Sequence, residues 1–169
     1  MTQFEEIFAA LQSGGVRYVV VGGVAVNLHG YQRFTKDLDL VVELVPDNAR
    51  RTLLALQTLG YKPAVPVKAA DFADPELRAS WIREKGMMVF QMYRDGSRVT
   101  VDIFVEHPVP FDTLWEDAIA LEIPAATVRI ASIEHLTQMK RAAARPQDLA
   151  DIEKLAQIAE LRNSARDNQ

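Results

Sequence analysis

The fold is decided by Tyr18-Val19-Val20-Val21-Gly22-Gly23 and, after thirteen intervening residues, by Asp37-Leu38-Asp39-Leu40-Val41-Val42. The β-branched run predicts a strand, and its two closing glycines tolerate positive φ and leave bare backbone for a ligand. Alternate side chains of a strand share a face, so Asp37 and Asp39 point one way while the leucines enter the core. Mg²⁺ prefers carboxylate and phosphate oxygens. The pattern predicts a cation site beside a phosphate-binding turn, although the solvated face of an edge strand also fits it.

A third acid lies further along the chain, within a predicted β-hairpin. Asp95-Gly96 is a strong turn signal between the strand-forming runs Met87–Tyr93 and Arg98–Val105. Asp102 lies inside the second run, where a solitary carboxylate costs free energy unless it is paired or metal-bound. Asp102 is therefore a candidate third metal ligand. The alternative is a solvated face that it shares with Thr100.

The remaining chain predicts helices around a small sheet. Helices are expected at Thr2–Gln12, Val24–Leu28, Pro46–Leu59, Asp74–Ile82, Phe111–Ala120, Ser132–Ala144 and from Pro146 onward. Tyr61–Lys68 contains two prolines, which favour an edge strand, and Thr127–Ile130 predicts a short strand. We expect an α+β fold with a small mixed or antiparallel sheet. Residues 1–125 would form the core, and residues 126–169 a C-terminal helical segment packed on it within a single domain.

Composition narrows the class of protein. The chain has 169 residues, a net charge of −4, three histidines and no cysteine. These numbers exclude disulfides and thiolate catalysis, disfavour a structural zinc site, and argue against a general nucleic-acid coating protein. No apolar run approaches the length of a membrane span, and the first residues lack the pattern of a signal peptide. We therefore expect a cytoplasmic protein without membrane contact.

The acidic and glycine motifs resemble those of a known superfamily. Gly22-Gly23, Asp37-Leu38-Asp39 and Val101-Asp102-Ile103 are similar, in the same order, to the three signatures of DNA polymerase β-like nucleotidyltransferases. The resemblance implies the nucleotidyltransferase fold, with residues 1–125 as its core. It also implies transfer of NMP from an NTP to a hydroxyl group, with two Mg²⁺ ions, or Mn²⁺, held by Asp37, Asp39 and Asp102.

Further residues resemble one bacterial branch of that superfamily, the AbiEii/AbiGii-type nucleotidyltransferases, many of which are toxins of toxin–antitoxin pairs. The residues that carry this resemblance are Gly22-Gly23-Val24-Ala25, His29-Gly30, Arg33, Thr35, Lys140, Arg145, Asp148-Leu149 and Asp151. The resemblance implies that Gly22, Gly23, Arg33 and Thr35 bind the nucleotide. It further implies that Lys140 binds the triphosphate and that Asp148 orients it.

Several functions remain open from the sequence. The acceptor could be an RNA or tRNA 3′ end, with a cognate antitoxin as partner, or a small molecule, as in antibiotic nucleotidyltransferases. A non-catalytic binding or antitoxin module of the same fold is a third reading, and metals and glycines do not show which phosphorus is attacked. Trp81, Tyr93 and Trp115 could stack a base, but core packing is the ordinary role of such residues.

Overall fold

The computed structural model describes the whole chain, Met1–Gln169, and confirms the α+β prediction. Seven helices and one 3₁₀ helix surround a single seven-stranded sheet. The helices are α1 Gln3–Ser13, α2 Gly22–His29, α3 Pro46–Thr58, the 3₁₀ helix Ala69–Ala73, α4 Pro75–Lys85, α5 Phe111–Asp117, α6 Ile133–Ala143 and α7 Pro146–Asp167. The strands are β1 Tyr18–Val21, β2 Asp37–Val42, β3 Lys62–Pro63, β4 Val89–Tyr93, β5 Thr100–Phe104, β6 Ile119–Ile123 and β7 Ala126–Ile130. No helix combines the length and apolar character that crossing a membrane requires.

The sheet is mixed, with the strand order β3-β4-β5-β2-β1-β7-β6. β1 and β2 are antiparallel, whereas β2 and β5 run parallel, as do β1 and β7. The predicted hairpin around Asp95-Gly96 is confirmed, because β4 pairs antiparallel with β5. The two acidic strands β2 and β5 are therefore direct neighbours in the middle of the sheet.

Alternation along β4 and β5 gives this half of the sheet two different faces. Phe90 and Met92 of β4 are buried, whereas the residues between them are half-buried. Phe90 packs on Trp81 of α4 and on Phe72 of the 3₁₀ helix, with ring centroids 5.4 and 5.2 Å apart. Successive side chains of a strand point to opposite faces, and Gln91 lies opposite Asp102. The 3₁₀ helix and α4 therefore cover the face opposite to that of Gln91 and Asp102.

The predicted helix starts agree with the observed caps. Thr2 forms a capping box with Glu5 at the start of α1. Asp74 caps α4 with Pro75 in its first turn, and Ser132 accepts a hydrogen bond from the His135 amide at the start of α6. Each of these oxygens satisfies a backbone N–H that the first helical turn leaves free.

The prediction for Phe111–Ala120 is wrong in its second part. Helix α5 ends at Asp117, and Ile119–Ile123 forms the edge strand β6, which pairs with β7 through a turn at residues 124–125. The segment is apolar apart from Glu122 and has isoleucine at both ends, which favours a strand, and Pro124 ends it. The C-terminal segment expected from residue 126 consequently begins with β7, and its helices begin at Ile133.

Candidate active site

Three carboxylates form one row on the exposed side of the central strands. In the sheet register, Asp39 lies opposite Asp102, and Asp37 lies opposite Thr100. Partners across a sheet point to the same face. Asp37, Asp39 and Asp102 therefore share a face, and all three are half-buried. The structure thus brings together the acids that the sequence motifs singled out.

Neutral groups bind the two outer carboxylates of the row. The Thr100 hydroxyl donates a hydrogen bond of 2.6 Å to Asp37 Oδ1, and Gln91 Nε2 donates one of 2.9 Å to Asp102 Oδ1. None of the ion pairs in the structure includes Asp37, Asp39 or Asp102. The three carboxylates therefore concentrate negative charge, and no lysine or arginine side chain forms an ion pair with any of them.

This uncompensated charge changes the titration of the row. Burial, together with the neighbouring charges of Asp102 and Asp37, raises the pKa of Asp39 to about 7 against the opposing effect of Lys140 and Arg145. Burial also raises the pKa of Asp102, assisted by the charge of Asp37 and opposed by the hydrogen bond from Gln91. Crowded carboxylates favour protonation unless a cation joins them.

The glycine pair allows other groups to approach the first turn of α2. Gly22 has φ +66°, and a Cβ there would lie 2.2 Å from Asp39 Oδ2. A Cβ on Gly23 would lie 2.9 Å from both Arg33 Nη2 and Thr35 Oγ1. The start of α2 therefore presents backbone N–H groups beside Asp39, Arg33 and Thr35, and a helix N-terminus favours anions.

A second charged cluster lies where α7 packs against α6 and the loop before β2. Asp151, whose side chain is fully buried, accepts hydrogen bonds from Arg33 Nε at 2.9 Å and Nη2 at 2.8 Å. Lys140 Nζ lies 2.8 Å from Oδ2 of the same carboxylate, the oxygen that Arg33 Nη2 also contacts, and the Lys140 side chain is 7% exposed. Arg33 and Lys140, which were predicted to contact the nucleotide, are thus both anchored by Asp151.

Asp148 completes this helical cluster at the start of α7. It accepts hydrogen bonds from the Arg145 backbone at 3.1 Å and from Arg145 Nε at 2.8 Å, and Lys140 Nζ lies 3.5 Å away. Burial acts to raise the pKa values of Asp148 and Asp151. The hydrogen bonds and charges of Arg145, Arg33 and Lys140 outweigh it, so both pKa values are lowered. The Arg145 side chain remains 76% exposed beside the carboxylate row.

Other residues considered as candidates serve the packing of the fold. Trp81 is buried against Phe90, and Trp115 lies between the guanidinium groups of Arg17 and Arg129 at 4.7 and 4.1 Å from its ring centroid. Tyr93 lies at the edge of the acidic face, with Lys62 Nζ 5.1 Å from its ring. Tyr93 lies two residues from Gln91 on β4, so its side chain shares the face of the carboxylate row.

His29 is likewise a packing residue, at the end of α2. Its Nε2 donates to the carbonyl of Ala131 at 2.8 Å, and its Nδ1 accepts from Arg162 Nη1 at 3.1 Å, because the carbonyl only accepts and the guanidinium only donates. Burial lowers the pKa of His29, and the charge of Arg162 acts in the same direction. The ring is therefore neutral and fastens α7 to α2.

Sequence reasoning missed Gln91 and Thr100 as partners of the acids, and it gave Asp151 no role of its own. A signal for Gln91 was present, because the register of a hairpin around Asp95-Gly96 places residue 91 opposite residue 102, as observed. No comparable signal joins Asp151 to Arg33, which lie 118 positions apart in the chain. Contacts between distant segments depend on tertiary packing rather than on local pattern.

The donor set of the row suits Mg²⁺ or Mn²⁺, because it consists of carboxylate oxygens without histidine or sulfur. In the structure, no group of three or more histidine or acidic side chains is arranged so that it could hold a metal ion by itself. That arrangement agrees with the usual protein environment of Mg²⁺, which takes one or two carboxylates and completes its shell with water and substrate phosphate. Asp39 beside the bare backbone of Gly22 provides a place where both kinds of ligand can meet.

Comparisons with known proteins identify the family and the fold. The family model described as "Nucleotidyl transferase AbiEii toxin, Type IV TA system" matches residues 7–167. Among solved structures, the lincosamide antibiotic adenylyltransferase LnuA with bound lincomycin is similar, with a TM-score of 0.63 and 18% identity over 94% of this chain and 98% of that chain. ANT(2'')-Ia in complex with adenylyl-2''-tobramycin has a TM-score of 0.57 and 14% identity, over 98% of this chain and 95% of that chain.

A third solved structure shares the fold as well. The antigenic nucleotidyltransferase-like protein from Paracoccidioides brasiliensis has a TM-score of 0.55 and 18% identity, over 92% of this chain and 77% of that chain. No curated protein sequence matches significantly. At these identities the likeness to the solved structures concerns the fold, and the family match covers almost the whole chain.

Proposed function

The chain belongs to the AbiEii family of nucleotidyl transferases, and on this premise we propose that it transfers NMP from a metal-bound NTP to a hydroxyl acceptor. The single observation that carries this proposal is the row of Asp37, Asp39 and Asp102 beside the bare backbone of Gly22 and Gly23. A cation site next to a phosphate-binding helix start is what a nucleoside triphosphate requires.

Residues around the start of α2 would bind the nucleotide. The backbone amides at Gly22 and Gly23 would donate to phosphate oxygens, and Arg33 and Thr35 lie close enough to Gly23 to contact the same phosphates. Lys140 is held by Asp151 and Asp148, so it would contribute positive potential from a fixed position. Asp148 would orient the triphosphate through Lys140 and Arg145, whose exposed guanidinium it holds.

Asp37, Asp39 and Asp102 would hold two Mg²⁺ or Mn²⁺ ions. When bound, these ions would neutralise the negative charge of the triphosphate and of the leaving pyrophosphate. The acceptor oxygen would form a bond to the α-phosphorus, the bond to the pyrophosphate oxygen would break, and the hydroxyl proton would pass to solvent. Asp102 lies on the side of β4 and β5, where the sheet face is half-exposed. The acceptor would therefore approach from β4 and β5, and the nucleotide from α2.

The first candidate acceptor is the 3′ end of an RNA such as tRNA, which would make the protein a cytoplasmic toxin with a cognate antitoxin. The family description, which names a toxin of a type IV toxin–antitoxin system, supports this choice. The half-exposed face of β4 and β5 supports it as well, because Tyr93 and Lys62 on that face offer an aromatic ring and a cation, the two groups that bind single strands.

A small molecule is the second candidate acceptor. The observation that favours it is the size of the fold, because this chain covers 98% of LnuA and 95% of ANT(2'')-Ia. LnuA is a lincosamide antibiotic adenylyltransferase, and the structure of ANT(2'')-Ia contains adenylyl-2''-tobramycin. This similarity in length supports the proposal of a small-molecule acceptor.

The test is incubation of the protein with Mg²⁺ and each NTP, labelled in turn at the α- or γ-phosphate, with total RNA or with a panel of aminoglycosides and lincosamides. We expect α-label, and no γ-label, to appear on RNA, with none in Asp37→Ala/Asp39→Ala. Retention of γ-label would instead show phosphoryl transfer. Absence of label from every acceptor, or full activity of the double variant, would refute the proposed reaction.

A further inference from the structure

Two uncharged side chains on the strands beside the carboxylate row have no role in the function proposed above. Thr100 lies opposite Asp37 in the register of β2 and β5, and Gln91 lies opposite Asp102 in the register of β4 and β5. Their hydrogen bonds to Asp37 Oδ1 and Asp102 Oδ1 measure 2.6 and 2.9 Å. Each outer acid therefore receives one donor from the next strand, and that donor contacts only one of its two carboxylate oxygens.

We propose that Thr100 and Gln91 are positioning residues, which fix the orientation of Asp37 and Asp102 so that the second oxygen of each carboxylate faces a divalent cation. This inference rests on the proposed function, because it assumes that the row binds metal. The χ2 torsion of an aspartate is soft and broad. A hydrogen bond to one oxygen fixes that torsion and leaves the lone pairs of the other oxygen available.

Both donors are uncharged, and this matters for a metal site. A lysine or arginine at either position would form an ion pair with the acid and compete with a metal for the same charge. Asp151, by contrast, is paired with two cations, Arg33 and Lys140. On the sheet, the donors are a hydroxyl and an amide, which orient a carboxylate without neutralising it. Partners of this kind around metal ligands typically affect metal affinity by tenfold or more.

The rigid setting of both donors also supports a positioning role. Thr100 and Gln91 lie on paired strands in the interior of the sheet, and the β-branched side chain of Thr100 has few χ1 states. Groups that hold a site to a defined geometry are most effective on such elements. The same register also rules out a contact of either donor with the glycine turn, so their effect should be confined to the acids.

The experiment uses Thr100→Val and Gln91→Met, which keep the shape of each side chain and remove its donor. Thr113→Val on α5 and Gln57→Met on α3 are matched controls, because both residues are exposed. Thr100→Ser restores the hydroxyl. Mn²⁺ binding to the full chain is followed by electron paramagnetic resonance, alone and with a non-hydrolysable NTP analogue, and circular dichroism and the melting temperature report folding.

We expect Mn²⁺ to bind about tenfold more weakly to Thr100→Val and Gln91→Met, with parental affinity in the two controls and recovery in Thr100→Ser. Affinities within twofold of the parent in both folded variants would overturn this inference and leave the proposed function standing. If the parent itself binds no Mn²⁺, the metal site of the proposed function fails, and this inference fails with it. The two failures are therefore distinguishable.

Discussion

The molecule contains two groups of aspartates whose surroundings differ in charge. Asp37 and Asp102 on the sheet receive hydrogen bonds only from uncharged side chains. Burial and repulsion by these two acids raise the pKa of their neighbour Asp39 to about 7. Asp148 and Asp151 on α7 are paired with Arg33, Lys140 and Arg145. Their pKa values are lowered, because these cations outweigh burial.

The difference indicates what each group does. Removing one partner from a buried ion pair leaves the other charge uncompensated, so the aspartates of α7 should stabilise the fold. The sheet aspartates repel one another in the free protein and gain a partner only when a cation binds. Sites that are arranged for function in this way often reduce stability. Substitutions of the sheet aspartates should therefore reduce activity most, and substitutions of the α7 aspartates should reduce stability most.

The largest effect is expected for Asp39→Asn. The variant loses the central metal-binding carboxylate, and nucleotidyl transfer should fall about 1000-fold, since charge neutralisation contributes several kcal/mol. Its melting temperature at pH 8 without metal should equal or exceed that of the parent, because a repelling charge is removed. Asp167→Asn, at the exposed end of α7, is the control. A variant that loses activity only because it unfolds would contradict this expectation.

Asp151→Asn should have the opposite effect. It leaves Lys140 and Arg33 without their shared carboxylate, so the free energy of unfolding should fall by about 3 kcal/mol. Activity of the folded fraction should fall far less than in Asp39→Asn. Urea denaturation at pH 7, compared with Asp167→Asn, measures the change. A loss below about 1 kcal/mol would remove the distinction between the two groups.

Gly22→Ala tests whether the position of the Asp39 carboxylate depends on the bare backbone of the glycine turn. Gly22 and Gly86 have similar φ values of +66° and +61°, but a Cβ on Gly86 would meet nothing within 4 Å, whereas one on Gly22 would meet Asp39 Oδ2. Both alanine variants should lose about 1 kcal/mol from backbone strain. Displacement of Asp39 should also reduce the activity of Gly22→Ala by about 100-fold. Equal activity in the two variants would show that Asp39 tolerates the displacement.

The smallest expected effect is the pH dependence of stability. The folded pKa of Asp39 lies above its ordinary value, at about 7. Its contribution is therefore fully present below pH about 4 and is lost as the pH rises through about 7. The metal-free parent should lose melting temperature relative to Asp39→Asn between pH 5 and pH 8. Parallel melting curves for the two proteins across that range would contradict the raised pKa.

Comparison with the variant is needed because other groups titrate as well. His29 has a lowered pKa, so its neutral form is favoured in the folded protein, and its contribution grows as the pH rises. Asp148 and Asp151 have lowered pKa values. Their contribution is present above the ordinary aspartate pKa and is lost only as the pH falls below it. The difference in melting temperature between the parent and Asp39→Asn separates the contribution of Asp39 from those of His29, Asp148 and Asp151.

The sequence predicts the arrangement of the sheet aspartates, Asp37, Asp39 and Asp102, well. Alternation places Asp37 and Asp39 on one face, and Asp95-Gly96 defines the hairpin that contains Asp102; both features are present in the structure. The sequence does not show that β2 and β5 are neighbours, because their pairing joins segments 63 positions apart. The resemblance to a known family provided that adjacency as an expectation.

The helical half is harder to predict from the sequence. Only the family resemblance gives Lys140, Arg145, Asp148 and Asp151 a functional role, and the pairing of Asp151 with Arg33 depends on how α7 packs against the loop before β2. Strand β6 was also missed, since a five-residue apolar run after a short helix resembles a continuation of that helix. In both cases tertiary packing, rather than local periodicity, determines the result.

The most direct test of the comparison is a carbon-13 NMR titration of the aspartate carboxyl groups, without metal and with Mg²⁺ plus a non-hydrolysable NTP analogue. Without metal, we expect Asp39 to titrate near 7 and Asp151 well below its ordinary range. With metal, the pKa of Asp39 should fall sharply, while that of Asp151 should stay unchanged. An Asp39 carboxyl that titrates at its ordinary value and does not respond to Mg²⁺ would contradict the account.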